Sequence, residues 1–171
     1  MGEMDTFTCR RSRWNHPVIA LLGLPTIGVE EPTRLRKKNF IVSREAEECF
    51  LDARYDDRLL IPNLFYDFAL IPGREIEEFD ARTIEGLLAL GKRYEYGDPF
   101  ASSIPRIREK ITDASLDKLG FEYIAALDPI GGRVLMMTQR NSTYLYSACG
   151  VTALDAHRRW CHLGAFAFPI I

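Results

Sequence analysis

Apolar positions along the chain change their period twice, and those changes mark the expected elements. Val18 to Leu22 is a continuous apolar run ended by Pro25, which reads as a buried strand. Pro25, Gly28 and Pro32 argue against a helix between residues 23 and 33, and Asn39 to Val42 is a short strand candidate. From Ser43 the period becomes helical. Ala46, Cys49, Phe50 and Ala53 form one stripe, Ser43 is a natural cap, and Glu45 and Glu47 occupy the first turn, where the helix dipole favours acids. This helix is expected to fade near Arg58 to Leu60. Residues 61–73 are rich in core side chains, but their period is ambiguous. Ile84, Leu87, Leu88, Gly91 and Tyr94 define the next helix, with Asp80 as its cap and Gly97-Asp98-Pro99 as its stop. A third helix begins after Ser103, tolerates Pro105 in its first turn, breaks near Thr112 and ends at Gly120.

Beyond Gly120 the period shortens to two. Phe121 to Leu127, Arg133 to Thr138 and Thr143 to Ala148 read as strands joined by turns at Asp128–Gly132 and Arg140–Ser142. Thr152-Ala-Leu-Asp155 has the spacing of a capping box, which predicts a helix from Ala153 to about His162, closed by Gly164. Ala165 to Phe168 alternates and reads as a final strand. The expected fold is therefore α+β in one domain, residues 1–171. An irregular and helical N-terminal part precedes an antiparallel β-meander, a C-terminal helix and a last strand.

Composition narrows the function classes. The 171 residues are 47% apolar and 27% charged with a net charge of −2, which excludes a disordered chain and a uniformly basic nucleic-acid binder. No apolar run approaches the roughly 18 residues that span a bilayer, so no membrane association is expected. Arg10, Arg11 and Arg13 before Val18–Leu22 imitate a signal peptide, but Gly23 and Pro25 cut the apolar stretch, and a buried strand is the simpler reading. Four widely spaced cysteines without a CxxC pair suit reduced thiols in the cytoplasm. Charge is uneven: residues 1–40 sum to +3, 41–100 to −7 and 101–171 to +2. The basic clusters around Arg10–Arg13 and Arg34–Lys38, with Trp14, His16 and Phe40 nearby, suit single-stranded nucleic acid, an acidic partner or the chain's own acidic middle.

Candidate chemistry is sparse. Glu45, Glu48, Asp52 and Asp56 form a carboxylate stripe able to hold magnesium, although a solvated helix face explains it more simply. On the expected C-terminal helix, His157 and Cys161 share one face at the spacing of two zinc ligands. Inward packing of Trp160 and Cys161 is the plainer explanation, and neither a metal nor a cofactor is expected. Cys149 and His157 are candidate catalytic residues, because a helix start near a thiol lowers its pKa and a histidine can serve as base. Arg158, Arg159, Trp160, Tyr144 and Tyr146 are the candidate binding surface, from residue types that suit contact with proteins.

The element order α, α, β, β, β, α, β is similar to that of acetyltransferases built on an acetyl-coenzyme-A fold. That resemblance implies a pyrophosphate cradle at Ser147-Ala-Cys-Gly-Val-Thr152, where this chain has one glycine. The preferred reading is a small interaction module without its own catalysis. It would meet a protein partner, rather than nucleic acid, through a charged surface bearing Tyr and Arg. Group transfer of the acetyltransferase type and a Cys149/His157 hydrolase are the alternatives.

Overall fold

The structure is a computed structural model that describes residues 9–139 and 150–171. Strand β1 (Arg10–Arg11) and strand β2 (Pro17–Leu22) form a hairpin. Helix α1 (Glu31–Lys37) follows, with Pro32 in its first turn, where a missing N–H is harmless. Residues 23–27 are not helical, but the expectation of no helix up to residue 33 fails: a 3₁₀ turn spans Gly28–Glu30 and α1 begins at Glu31, because a proline in the first turn gives up no intrahelical hydrogen bond. After strand β3 (Ile41–Val42), Ser43 Oγ accepts the Ala46 N–H at 3.1 Å and starts helix α2 (Arg44–Leu51). This helix stops earlier than the pattern predicts. Asp52 turns extended, with ψ 130°, and its carboxylate caps a separate turn, helix α3 (Ala53–Asp56).

Residues 61–73 resolve into strand β4 (Phe65–Pro72). Helix α4 (Ile84–Arg93) is capped by Thr83, whose Oγ1 accepts the Gly86 N–H at 3.0 Å. Asp80, the expected cap, lies in the 3₁₀ turn Phe79–Ala81 just before it. Helix α5 (Ser103–Lys110) and helix α6 (Asp113–Leu119) are separated at Thr112, as the break in their stripe predicts. Gly120 ends α6 in the left-handed conformation, with φ 79°. Strand β5 (Tyr123–Ala125), strand β6 (Arg133–Thr138), strand β7 (Gly150–Asp155) and strand β8 (Gly164–Pro169) complete the chain.

The eight strands of the described residues join one mixed sheet in the order β1-β2-β4-β8-β5-β6-β7-β3, so the fold is α+β. The β5–β8 and β3–β7 pairs are parallel and the other pairs antiparallel. One face is covered by α1, α2, α3, α5 and α6 through residues such as Leu35, Phe50, Tyr55, Ile104, Ile107 and Leu116. The other face is covered by Ile84, Leu87 and Leu90 of α4, and by Ala156 and Trp160. Strands buried on both sides lose the alternation that marks a one-sided strand. Phe68 to Pro72 and Gly164 to Pro169 are buried at every position, which is why the period of residues 61–73 is ambiguous. Among the described residues no helix is long and apolar enough to cross a membrane.

The expected C-terminal helix is absent. Residues 150–155 instead form β7, in a six-residue ladder with β6, and residues 156–163 are turns and irregular chain. Val151 and Ala153 point to the core with period two, and Thr152 Oγ1 hydrogen-bonds Ser43 Oγ at 2.9 Å instead of capping a helix. Asp155 Oδ1 accepts the His157 N–H at 2.7 Å and so makes a local turn. Here ladder pairing and burial override a local capping signal. Among the described residues from 80 onward the order is three helices and then four strands, with no helix between β7 and β8, so the acetyltransferase-like order does not hold. The expected strand at 143–148 lies outside the described residues.

A buried ion cluster ties α1 to α5. Arg106 donates to both Glu31 oxygens at 2.6 Å, and Glu109 takes Arg34 at 2.6 Å and Lys38 at 2.5 Å. Burial pushes the Glu31 carboxyl up to about 7, against the opposing pull of Arg106. The folded state therefore holds a proton that the unfolded chain releases near its ordinary value of 4.5. Stability contributed by this group is greatest below that value and falls as pH rises through about 7. Urea denaturation of the wild type and Glu31→Gln across this range is expected to show the wild type losing up to roughly 3 kcal/mol relative to the variant. A difference that stays flat with pH would contradict the assignment.

Candidate functional site

The hairpin between β1 and β2 and the C-terminal end of α4 meet at one corner of the sheet. The hairpin turn is closed by the Ser12 N–H to His16 O bond at 2.8 Å and the Asn15 N–H to Ser12 O bond at 2.9 Å, with Asn15 left-handed at φ 65°. Helix α4 ends in a Schellman arrangement: the Tyr96 N–H reaches Gly91 O at 3.1 Å, and the Glu95 N–H reaches Lys92 O at 2.9 Å. Glu95 occupies the left-handed position, φ 60°, where glycine is usual. Its side chain pairs with Arg13, so the strained residue bridges the two elements. Trp14 Nε1–H donates to Tyr94 O at 2.9 Å, and the Trp14 and Tyr94 ring centroids are 5.5 Å apart.

His16 is the centre of this corner and is only 3% exposed. Its Nδ1 lies 2.8 Å from the Tyr96 hydroxyl and its Nε2 lies 2.7 Å from Glu75 Oε1. A carboxylate only accepts, so Nε2 carries the hydrogen, and in the neutral ring Nδ1 then accepts from Tyr96. Glu75 Oε2 accepts the Tyr94 hydroxyl at 2.6 Å, and that bond pushes the Tyr94 phenol up to about 12. Burial raises the Tyr96 phenol as well, with Ser12 pulling the other way. The Ser12 hydroxyl lies 2.7 Å from that of Tyr96. On the outer side of this network opens a cleft of about 630 Å³. Arg10, Arg11, Arg13, Trp14, Tyr94 and Tyr96 are among its walls. The Arg13 guanidinium stacks 4.6 Å from the Trp14 ring centroid, and Arg10 pairs with Asp67. Arg11 donates to Asn15 O at 3.1 Å and meets no carboxylate among the described residues.

The structure brings together Trp14, His16, Tyr94 and Tyr96, which the sequence showed only as separate aromatic and basic features. Glu75 was missed, because its place before a helix explained it sufficiently and no spacing links residues 12–16 to 75 or 94–96. Of the expected site residues, Cys149, Tyr144 and Tyr146 lie outside the described residues. His157 is exposed in the turn after β7, and Arg159 is exposed nearby. Arg158 is half-buried, with its guanidinium 5.6 Å from the Trp160 ring centroid. Trp160 belongs to the core: it is 0% exposed and packs against Tyr123 and Phe166, so it cannot meet a partner directly.

His157 and Cys161 share no helix face, since that segment is not helical. Among the described residues no group of three or more His, Cys, Asp or Glu side chains is placed to hold a metal ion. Glu48, Asp52 and Asp56 of the carboxylate stripe on α2 and α3 instead make internal contacts. Glu48 pairs with Arg44 and Arg133, Asp56 accepts the Gly28 N–H, and Arg54 holds the Asp52 carboxyl down to about 2. The basic N-terminal clusters partly meet the acidic middle, through Arg10–Asp67, Arg13–Glu95 and Arg36–Glu47.

In comparison with known proteins, no family model, no curated protein and no solved structure matches this chain. The site is therefore interpreted from its own geometry. One consequence concerns Trp160. Trp160→Ala is expected to cost about 3–5 kcal/mol in chemical denaturation, and Arg159→Ala less than about 0.5 kcal/mol. A Trp160→Ala protein of wild-type stability would contradict the buried placement.

Proposed function

We propose that the chain is a binding module that engages an acidic segment of a protein partner through the cleft between Arg10–Trp14 and Tyr94–Tyr96. The observation that carries this reading is the stack of Arg13 on Trp14, itself 41% exposed, at the mouth of a cleft whose Arg11 lacks a carboxylate partner among the described residues. Arg, Trp and Tyr are the residue types that dominate interface energetics. They combine large contact area with charge or hydrogen bonding, and Trp and Tyr, with two side-chain torsions each, lose little rotamer freedom on contact. The reading keeps the Tyr and Arg surface expected from sequence, but moves it from residues 144–160 to the β1–β2 corner. Free thiols at Cys9, Cys49 and Cys161 support a reducing, cytoplasmic setting for the module.

A synthetic peptide of alternating glutamate and phenylalanine is a direct probe, titrated by calorimetry. Arg11→Glu with Arg13→Glu is expected to weaken binding at least about tenfold, or roughly 1.4 kcal/mol. Wild-type affinity should also fall as salt rises. Equal affinity in the double variant would overturn the reading, as would tighter binding of single-stranded DNA than of the peptide.

A further inference from the structure

Two hollows open side by side along Tyr94–Asp98. Tyr94 and Tyr96 line the cleft at the β1–β2 corner, while Gly97 and Asp98 line a neighbouring hollow of about 550 Å³. Asp67, Ile170 and Ile171 are walls of both, so the two form one groove. The second hollow carries large apolar side chains that meet water: Leu64, Phe65, Ile170 and Ile171 are all exposed, Phe65 by 74%. A contiguous apolar patch rimmed by charged groups marks a contact surface.

Charges along the groove are matched in pairs with two exceptions. Arg10 meets Asp67, Arg13 meets Glu95, and Arg58 lies 3.4 Å from Asp128. The Arg58 guanidinium also donates to Pro99 O at 2.8 Å and stacks 4.4 Å from the Phe100 ring centroid, which holds it in the wall of the second hollow. Arg11, in the first hollow, meets no carboxylate among the described residues, and Asp98, exposed in the second, meets no cation among them. The groove therefore offers one unmatched positive charge in one hollow and one unmatched negative charge in the other. A partner that is acidic throughout would satisfy Arg11 and be repelled at Asp98.

We infer that the groove takes a partner segment of mixed charge. An acidic side chain meets Arg11, apolar side chains cover Phe65, Ile170 and Ile171, and a lysine or arginine meets Asp98. The inference rests on the proposed binding role and specifies the charge order of the segment that fills it.

The test compares three peptides by calorimetry at low salt. Each has an alternating glutamate and phenylalanine block, then two leucines, and closes on two lysines, two glutamines or two glutamates. The wild type is expected to bind the lysine ending at least about threefold more tightly than the glutamate ending, the scale of an exposed ion pair. Asp98→Lys changes an exposed side chain and should reverse that order. Asp117→Lys makes the same change of charge at an exposed position of α6 outside both hollows, and should keep the wild-type order. Equal affinity of the wild type for all three endings would overturn the inference. So would a wild-type order in Asp98→Lys, or a reversed order in Asp117→Lys. Arg11→Glu with Arg13→Glu separates the two readings. If that variant binds the glutamate and phenylalanine block more weakly while the lysine ending brings no advantage, the inference falls and the binding role stands. If it binds the block as tightly as the wild type, the binding role falls and the inference with it.

Discussion

Burial of the central strands on both faces is the constraint from which the remaining structure follows. Strands β4 and β8 carry no exposed residue from Phe68 to Pro72 or from Gly164 to Pro169. Every backbone polar group there must be satisfied by the ladder, and every side chain needs a packed neighbour on its own face. Five helices supply that cover on one side. On the other side α4 and the chain around Trp160 supply it, and this second layer stops at β4. Strand β2 lies beyond that limit, with Ala20 and Leu22 exposed. The β1–β2 turn and the end of α4 close this corner with hydrogen-bonded polar and aromatic groups rather than aliphatic packing. The cleft is what remains open between them. A polar network at such an edge is costly unless each member is paired, and His16, Tyr96, Tyr94 and Glu75 all are.

Electrostatics follow the same geometry. The sequence divides into basic, acidic and basic stretches, and folding sets much of this charge against its opposite at short range. Arg36 meets Glu47, Arg13 meets Glu95, and Arg10 meets Asp67. Pairs of this kind are exposed and contribute little stability. The Arg106–Glu31 pair differs because both side chains are nearly excluded from water, at 6% and 3% exposure. Removing Glu31 leaves the buried Arg106 guanidinium with Glu109, 3.2 Å away, as its carboxylate partner. Arg11, lacking a carboxylate among the described residues, gives the cleft its local positive character within a chain of net charge −2.

Local signals in the sequence were legible where local physics decides the outcome. The Ser43 cap, the break at Thr112, the left-handed Gly120 and the bounds of β6 all follow from side-chain chemistry within a few residues. Reading failed where distant chain decides. Thr152-Ala-Leu-Asp155 has the spacing of a helix start, yet six ladder pairs with β6 hold it extended. Trp160, expected at a binding surface, fills the gap between Tyr123 and Phe166. The cleft was half visible. The Arg10–Arg13 cluster with Trp14 and His16 stood out as basic and aromatic. Its completion by Glu75, Tyr94 and Tyr96 depends on the left-handed turn at Glu95 and on sheet order, and neither leaves a mark at fixed spacing.

The central claim is the direction of the hydrogen bonds through His16, since the closed corner depends on it. Nitrogen-15 NMR of histidine-labelled protein, with His16 assigned by substitution, reports which ring nitrogen carries the hydrogen. The account requires a neutral ring protonated on Nε2, facing Glu75, with Nδ1 unprotonated toward Tyr96, and slow exchange of that proton with water. A ring protonated on Nδ1, or one averaging rapidly between tautomers, would contradict it.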